Sequence, residues 1–292
     1  MMQTSAPDPE YLTVRELADL LRIKERKVYD LAASGDVPCA KVTGKLLFPA
    51  RDIRAWIASG TLSGSAPPKA RPMVFLGSHD PLLDWTLRQA QTGLATYFEG
   101  SSGGLRRFCA REGVATGLHL FDSGEWNIPV VAKEASGQDA VLIAFAARRR
   151  GIVTRADSSV TDIPGLEGRR LVPRQPGSGT ESVFGHLLNQ AGLSRASLDL
   201  APPALSEQDA VMAVQQGAAE ATFGLEALAA AHGLRFVPLI EERFDLLIDR
   251  RAYFEPEMQR LIAFLGSAAF SDQAARLGGY DTSEAGSVRW NG

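Results

Sequence analysis

PMVFLGSHDPLLDWTLRQAQTGLATYFEG, residues 72–100, decides the fold class. Two β-like runs, PMVFLG and ATYFEG, flank a helix-like run, DPLLDWTLRQAQTG, and a second helix-like run, LRRFCAREG, follows. Strands alternating with helices argue for an α/β sheet with helices on its faces. The pattern continues downstream, where RRLVP precedes ESVFGHLLNQAG. Three strand-like runs lead into polar or glycine-rich turns: Gly77-Ser-His-Asp-Pro81, Gly100-Ser-Ser-Gly-Gly104 and Arg174-Gln-Pro-Gly-Ser-Gly-Thr180. Small residues there let the backbone come close, hydroxyls supply donors, and each following helix start offers unpaired amides at the positive end of its dipole. Converging, three such turns make an anion cradle at the place where α/β sheets bind ligands.

Upstream, residues 59–71 (SGTLSGSAPPKAR) are rich in Gly, Ser and Pro and read as a linker. Before it lies a unit of about fifty residues, 11–58, which is small for an independent core. The 292-residue chain is 45% hydrophobic and 22% charged, as in ordinary folded protein, and the expectation is two or three packed units. No apolar run reaches membrane-spanning length, and MMQTSAPDPE has neither the basic nor the apolar region of a secretory signal. With only Cys39 and Cys109, no disulfide framework or thiolate cluster is expected. The expectation is a cytoplasmic chain without membrane contact. Its net charge of −3 conceals an asymmetry: residues 11–60 carry nine Lys or Arg against six Asp or Glu, and the remainder 22 against 28. A basic head on an acidic body suits a polyanion partner for the head.

Within the head, Thr13-Val-Arg-Glu16 has the form of a capping box and should start a helix carrying Leu17, Leu20 and Leu21. Arg22-Ile-Lys24 introduces a second helix, Glu25 to Ala33, which Gly35 terminates. Residues 40–48 read as two strands around Thr43-Gly44, a wing, and Pro49 opens a last helix through Ile53 and Trp56. Residues 11–58 resemble the excisionase and MerR-like winged helix-turn-helix family in the order of T-x-x-E-x-A, the Val28-Tyr29 pair, G-x-x-P, the basic wing and the closing helix. The resemblance implies that the second helix enters the major groove of double-stranded DNA, presenting Lys24, Arg26, Lys27 and Tyr29. It also implies that Lys41, Thr43 and Lys45 on the wing touch phosphate or the minor groove. One module offers little surface, so a homodimer on a two-part site is expected.

Residues 72–250 resemble the periplasmic-binding-protein-like domains classed with molybdate-binding proteins and fused to helix-turn-helix heads. The motifs are GSHDPLLDW, EGSSGGL, GLHLFDSGEWN, RRRGIVTRADSSVTDIPGLEGRRLVPRQPGSGT, EQDAVMAVQQGAAEATFG and LRFVPLIEERFDLLI. The implied architecture is a two-lobed α/β domain over residues 72–292, with a pocket lined by Ser78, Asp80, Ser101, Ser102, His119, Asn127, Gln175, Ser178 and Thr180. The chain departs from the family's pattern at Glu207-Gln-Asp-Ala210, Gly217-Ala-Ala-Glu220 and Phe244-Asp245. Molybdate or tungstate is the ligand the resemblance implies, with another small metabolite as the alternative, and no cofactor or metal is expected. Both oxyanions are fully deprotonated near neutral pH and suit a pocket of donors, whereas protonated phosphate also needs an acceptor. Asp80 and Asp245 would be unwelcome acceptors if they faced the ligand, unless they orient donors from behind.

Two further motifs need a place. Gly100-Ser-Ser-Gly-Gly104 satisfies G-x-S-x-G, and a Ser102 nucleophile with His119, His186 or His232 would make a hydrolase. The two-lobed pattern argues against that, and the expectation is a ligand-responsive DNA-binding regulator and not an enzyme. Arg148-Arg-Arg150, between VLIAFAA and GIVT, reads as a strand end in a hinge-like stretch.

Overall fold

The computed structural model describes residues 10–42, 44–59, 70–122 and 124–292; Thr43 of the expected wing and residues 60–69 of the expected linker lie outside them. The chain divides into two compact units, Met1–Ala70 and Arg71–Gly292. Among the described residues no helix is long and apolar enough to cross a membrane.

The first unit runs β1 (Tyr11–Leu12), α1 (Val14–Leu21), α2 (Glu25–Ser34), β2 (Ala40–Val42), β3 (Lys45–Pro49) and α3 (Ala50–Ser59). The capping box forms as its spacing requires: Thr13 Oγ1 accepts from the Glu16 amide at 3.3 Å, and the Glu16 carboxylate accepts from the Thr13 amide at 2.7 Å. α1 stops at Arg22, whose φ of 55° turns the chain into α2, and α2 stops at Gly35 with φ 75°. β2 and β3 pair antiparallel, from Ala40 opposite Leu47 to Val42 opposite Lys45. β1 adds a third strand, Tyr11 opposite Pro49, where the sequence pattern showed only two. Leu17, Ala18, Val28, Val37, Phe48 and Ile53 are buried together. At about 1.5–3 kcal/mol for each large apolar side chain, that core is enough for a small module and leaves little excess.

The second unit contains β4 (Val74–Gly77), α4 (Pro81–Gln89), β5 (Ala95–Phe98), α5 (Ser101–Cys109), β6 (Ala115–Leu118), a small hairpin of β7 (Phe121–Asp122) and β8 (Glu125–Trp126), and α6 (Ile128–Glu134). Then come β9 (Ala140–Thr154), β10 (Arg170–Val172), α7 (Gly179–Gln190), β11 (Asp199–Leu200), α8 (Glu207–Gln215), β12 (Ala221–Leu225), α9 (Glu226–Ala231) and β13 (Arg235–Asp249). α10 (Arg250–Tyr253), α11 (Pro256–Leu265), α12 (Ala268–Leu277), β14 (Tyr280–Asp281) and β15 (Val288–Asn291) finish the chain.

β9 and β13 organise this unit. They pair antiparallel along their whole length, from Ala140 opposite Asp249 to Thr154 opposite Arg235, with register shifts between Pro238 and Ile240 and between Phe244 and Asp245. At one end β13 passes the sheet on to β6, β4 and β5; at the other β9 passes it on to β12, β10 and β11. Two lobes therefore share two strands. Phe75, Leu83, Phe145, Phe244 and Phe270 fill one lobe, and Ile152, Phe184, Leu187 and Phe223 the other. The arginine triplet is not a strand end: β9 runs straight through it, and the two-residue strand period puts Arg148 and Arg150 inside and Arg149 outside.

The glycines around Ser101 and Ser102 have a packing reason. A Cβ on Gly104 would lie 2.2 Å from Gly77 Cα, and one on Gly77 would lie 2.3 Å from Gly117 O, so α5 approaches β4 and β6 as closely as backbone allows. Arg71, which composition placed in the linker, belongs to this unit. Its side chain is 1% exposed, Nε donates to Asp249 Oδ2 at 2.8 Å, Nη2 donates to Gln138 at 2.9 Å, and the guanidinium lies 4.2 Å over the Phe108 ring.

Candidate ligand-binding site

The three turns expected to converge do so. A cavity of about 270 Å³ is lined by Ser78 and His79 from the first, Glu99 and Gly100 at the second, and Arg174, Gln175 and Ser178–Thr180 from the third. A fourth segment, Leu205–Gln208, closes it. The N-cap of α5 and the first turns of α7 and α8 thus border one small space, and helix starts favour an anionic group there. The size suits a solute of a few heavy atoms and lies just below the usual range for drug-sized ligands. Gly179 explains how the walls meet: a Cβ there would lie 2.8 Å from His119 O and 2.9 Å from its ring.

An ion-pair chain braces this cavity from the shared strands. Arg148 Nη1 donates to Asp80 Oδ2 at 2.7 Å, and its Nη2 donates to Glu242 on β13. Arg150 donates to Glu242 through Nε at 2.8 Å, to Glu207 Oε1 through Nη2 at 2.8 Å, and to Thr180 Oγ1 through Nη1 at 3.1 Å. Thr180 donates its own proton to Glu207 Oε1 at 2.7 Å. Burial alone would raise both glutamates. The guanidiniums of Arg150 and Arg148 overcome it for Glu207, holding it at about 2, and hold Glu242 well below the ordinary range. His119 Nδ1 lies 3.3 Å from Glu242 Oε2 without the alignment of a hydrogen bond, and burial pushes this imidazole down, so it is neutral at neutral pH.

Residues 85–266, well over half of the chain, match the model of the PBP superfamily domain. The chain belongs to the PBP superfamily. Ahead of this domain, residues 11–61 match a helix-turn-helix domain model. The uncharacterized protein YvgK of Bacillus subtilis (strain 168) is 23% identical over 300 residues, covering 94% of this chain and 96% of that protein. Among solved structures, a phosphate ABC transporter substrate-binding protein from Clostridium perfringens with bound phosphate aligns with a TM-score of 0.51 at 12% identity, covering 70% of this chain and 96% of that one. An ABC-type phosphate transport receptor from Vibrio cholerae aligns with a TM-score of 0.47 at 12% identity, covering 71% and 98%. At 12% identity the likeness to the Clostridium perfringens protein is one of fold.

Within this PBP-superfamily domain, Ser78, His119, Gln175, Ser178 and Thr180 line the cavity. Ser101 lies one bond behind: its Oγ is 2.8 Å from Ser78 Oγ and accepts from the His119 amide at 3.0 Å. Three expected ligand residues sit elsewhere. Asp80 is fully buried and satisfied, capping α4 through the Leu83 amide and accepting from Arg148 and, at 2.8 Å, from Tyr280. Asn127 is also fully buried; it accepts from the Leu120 amide at 2.6 Å and donates to Asp245 at 2.7 Å. Ser102 points outward from the first turn of α5 into two other surface cavities, and no histidine lines either among the described residues. Ser178 also caps α7, accepting from the Glu181 amide at 3.2 Å. Sequence reasoning missed Arg174 and Glu207 as lining residues and Arg148, Arg150 and Glu242 behind them. Three consecutive arginines continuing an apolar strand run, which a two-residue period splits into two inward and one outward, were the available signal.

In the first unit, Lys24, Arg26, Lys27 and Tyr29 are exposed on α2, and Lys41 and Lys45 are exposed on the wing. Tyr29, Lys41 and Lys45 border one groove of about 820 Å³, joined there by Arg15 of α1, which the sequence did not single out. Lys24, Arg26 and Lys27 lie outside that groove.

Proposed function

We propose that the protein is a transcriptional regulator whose 71–292 unit captures a small anionic solute and whose helix-turn-helix head binds double-stranded DNA as a homodimer in the cytoplasm. The observation that carries this reading is the meeting of three helix starts at one small cavity in a chain that also carries a basic helix-turn-helix head. Occupancy of the cavity favours one arrangement of the lobes by its differential affinity for the two, and the head reports the change. No catalytic step is part of this reading. Molybdate and tungstate remain the solutes implied by the sequence resemblance, and phosphate enters through the bound ligand of the Clostridium perfringens neighbour.

The test is selection of duplexes from a random pool by the full chain, followed by binding titrations over a salt series with and without molybdate, tungstate, phosphate and small metabolites. A two-part site whose affinity changes by at least about fivefold with one solute is expected. Failure to retain any duplex in a salt-dependent manner sinks the regulator reading.

A further inference from the structure

Glu207 gives the cavity a second requirement beyond negative charge. It lines the space from the first turn of α8, and its Oε1 is occupied by Arg150 and Thr180 while Oε2 is buried without a hydrogen bond among the described residues. Gln175, also in the lining, holds a second acceptor, Oε1, in the same condition. An acceptor left bare in a buried place carries the full cost of its desolvation until a donor reaches it.

The surrounding charge points the same way. The ion-pair chain holds three carboxylates, Asp80, Glu242 and Glu207, against two guanidiniums, Arg148 and Arg150, so it offers a ligand no surplus positive charge. Among the described lining residues Arg174 is the only Arg or Lys, and the acidic Glu99 is held by Arg107 at 2.6 Å. With Glu207 ionised, a fully deprotonated dianion would meet a carboxylate with no proton to offer it.

Resting on the anion-sensor reading above, we infer that the solute is a small anion that brings its own hydrogen-bond donor, the anionic oxygens facing the helix starts and the donor facing Glu207 and Gln175. Protonated phosphate and arsenate have this chemistry through an acidic O–H, and an amino-acid zwitterion has it through its ammonium. Sulfate, molybdate and tungstate lack it at neutral pH.

Calorimetry and thermal unfolding of the full chain at pH 7 separate these, with sodium phosphate, arsenate, sulfate, molybdate, tungstate and the small amino acids as probes. The expected result is that a donor-bearing probe binds at least about tenfold more tightly than sulfate, molybdate and tungstate. Phosphate or an amino acid as the binder identifies the source of the donor. Equal or tighter binding of sulfate or molybdate overturns the inference and leaves the anion sensor standing. Absence of binding by every probe overturns both. In Glu207→Gln the preference for the donor-bearing probe over sulfate should fall at least about tenfold, and an unchanged preference overturns the inference. Because Glu207 also braces Arg150, Gln175→Met serves as the second variant; it removes the other bare acceptor and should shift the preference in the same direction by a smaller factor.

Discussion

The cations of the head and the arginines of β9 are the same chemistry put to opposite use. Lys24, Arg26, Lys27, Lys41 and Lys45 stand exposed on α2 and the wing, where a polyanion can reach them. Arg148 and Arg150 are 1% and 0% exposed and bonded to Asp80, Glu242, Glu207 and Thr180. An exposed cation costs the fold nothing and acts only when a partner arrives, with an effect that salt screens. A buried one is desolvated permanently and must be matched by carboxylates, whose charge it neutralises within the fold. The contrast shows that an arginine at an inward strand position is committed to the fold, while exposed cations on a small module stay available to a partner.

Removing the shared carboxylate is the strongest way to break this contrast. Glu242→Gln leaves Arg148 and Arg150 close together without their common anion, and about 3–5 kcal/mol of stability should be lost in denaturant unfolding. A loss under about 1 kcal/mol would show that the chain is not a committed network. Asp245 sharpens the comparison as a buried carboxylate whose hydrogen-bond donor is a neutral amide, Asn127. Burial raises it to about 6, against the opposition of that bond. Its folded value lies above its unfolded one, so its contribution is fully present below about pH 4 and is lost as pH rises through about 6. Asp245→Asn should therefore stabilise the chain at pH 8, by up to about 3 kcal/mol, and change little at pH 4. The paired Glu207 runs the other way: its contribution is present above the ordinary carboxylate range and is lost as pH falls toward about 2. The smallest effect on stability belongs to the head. Lys41→Ala with Lys45→Ala should move unfolding by no more than about 0.5 kcal/mol, yet reduce the magnitude of the salt-dependence slope of DNA binding by about 1 for each phosphate the wing ceases to neutralise. A slope equal to that of the unaltered chain would remove the wing from the interface.

Local signals made much of this legible in the sequence. The capping box at Thr13, the alternation after Pro72 and the three glycine-rich turns are short-range patterns, and each appears where its spacing puts it. What was missed depends on pairing between distant segments. β1 exists because Tyr11 meets Pro49, and no pattern in two residues announces that. Arg148 is buried because residues 68 and 94 positions away in sequence, Asp80 and Glu242, converge on it. Asp80 and Asn127 looked like ligand groups because polar residues in loops near a sheet end serve equally as ligands and as helix caps, and only their partners decide. Glu207 was noted for departing from a family pattern; its position at the start of α8, facing the same space as Thr180, gives that departure a place.

Arg71 has a mechanical consequence. The chain enters the second unit through a side chain fastened to Asp249, the last residue of β13, and β13 is one of the two strands that run through both lobes. A load applied to the chain at Arg71 is borne at the end of that shared strand. As a graft point for a different head, the ligand-binding unit accordingly begins at Arg71, three residues before its first strand, and a fusion joined any later would leave Asp249 without its cation.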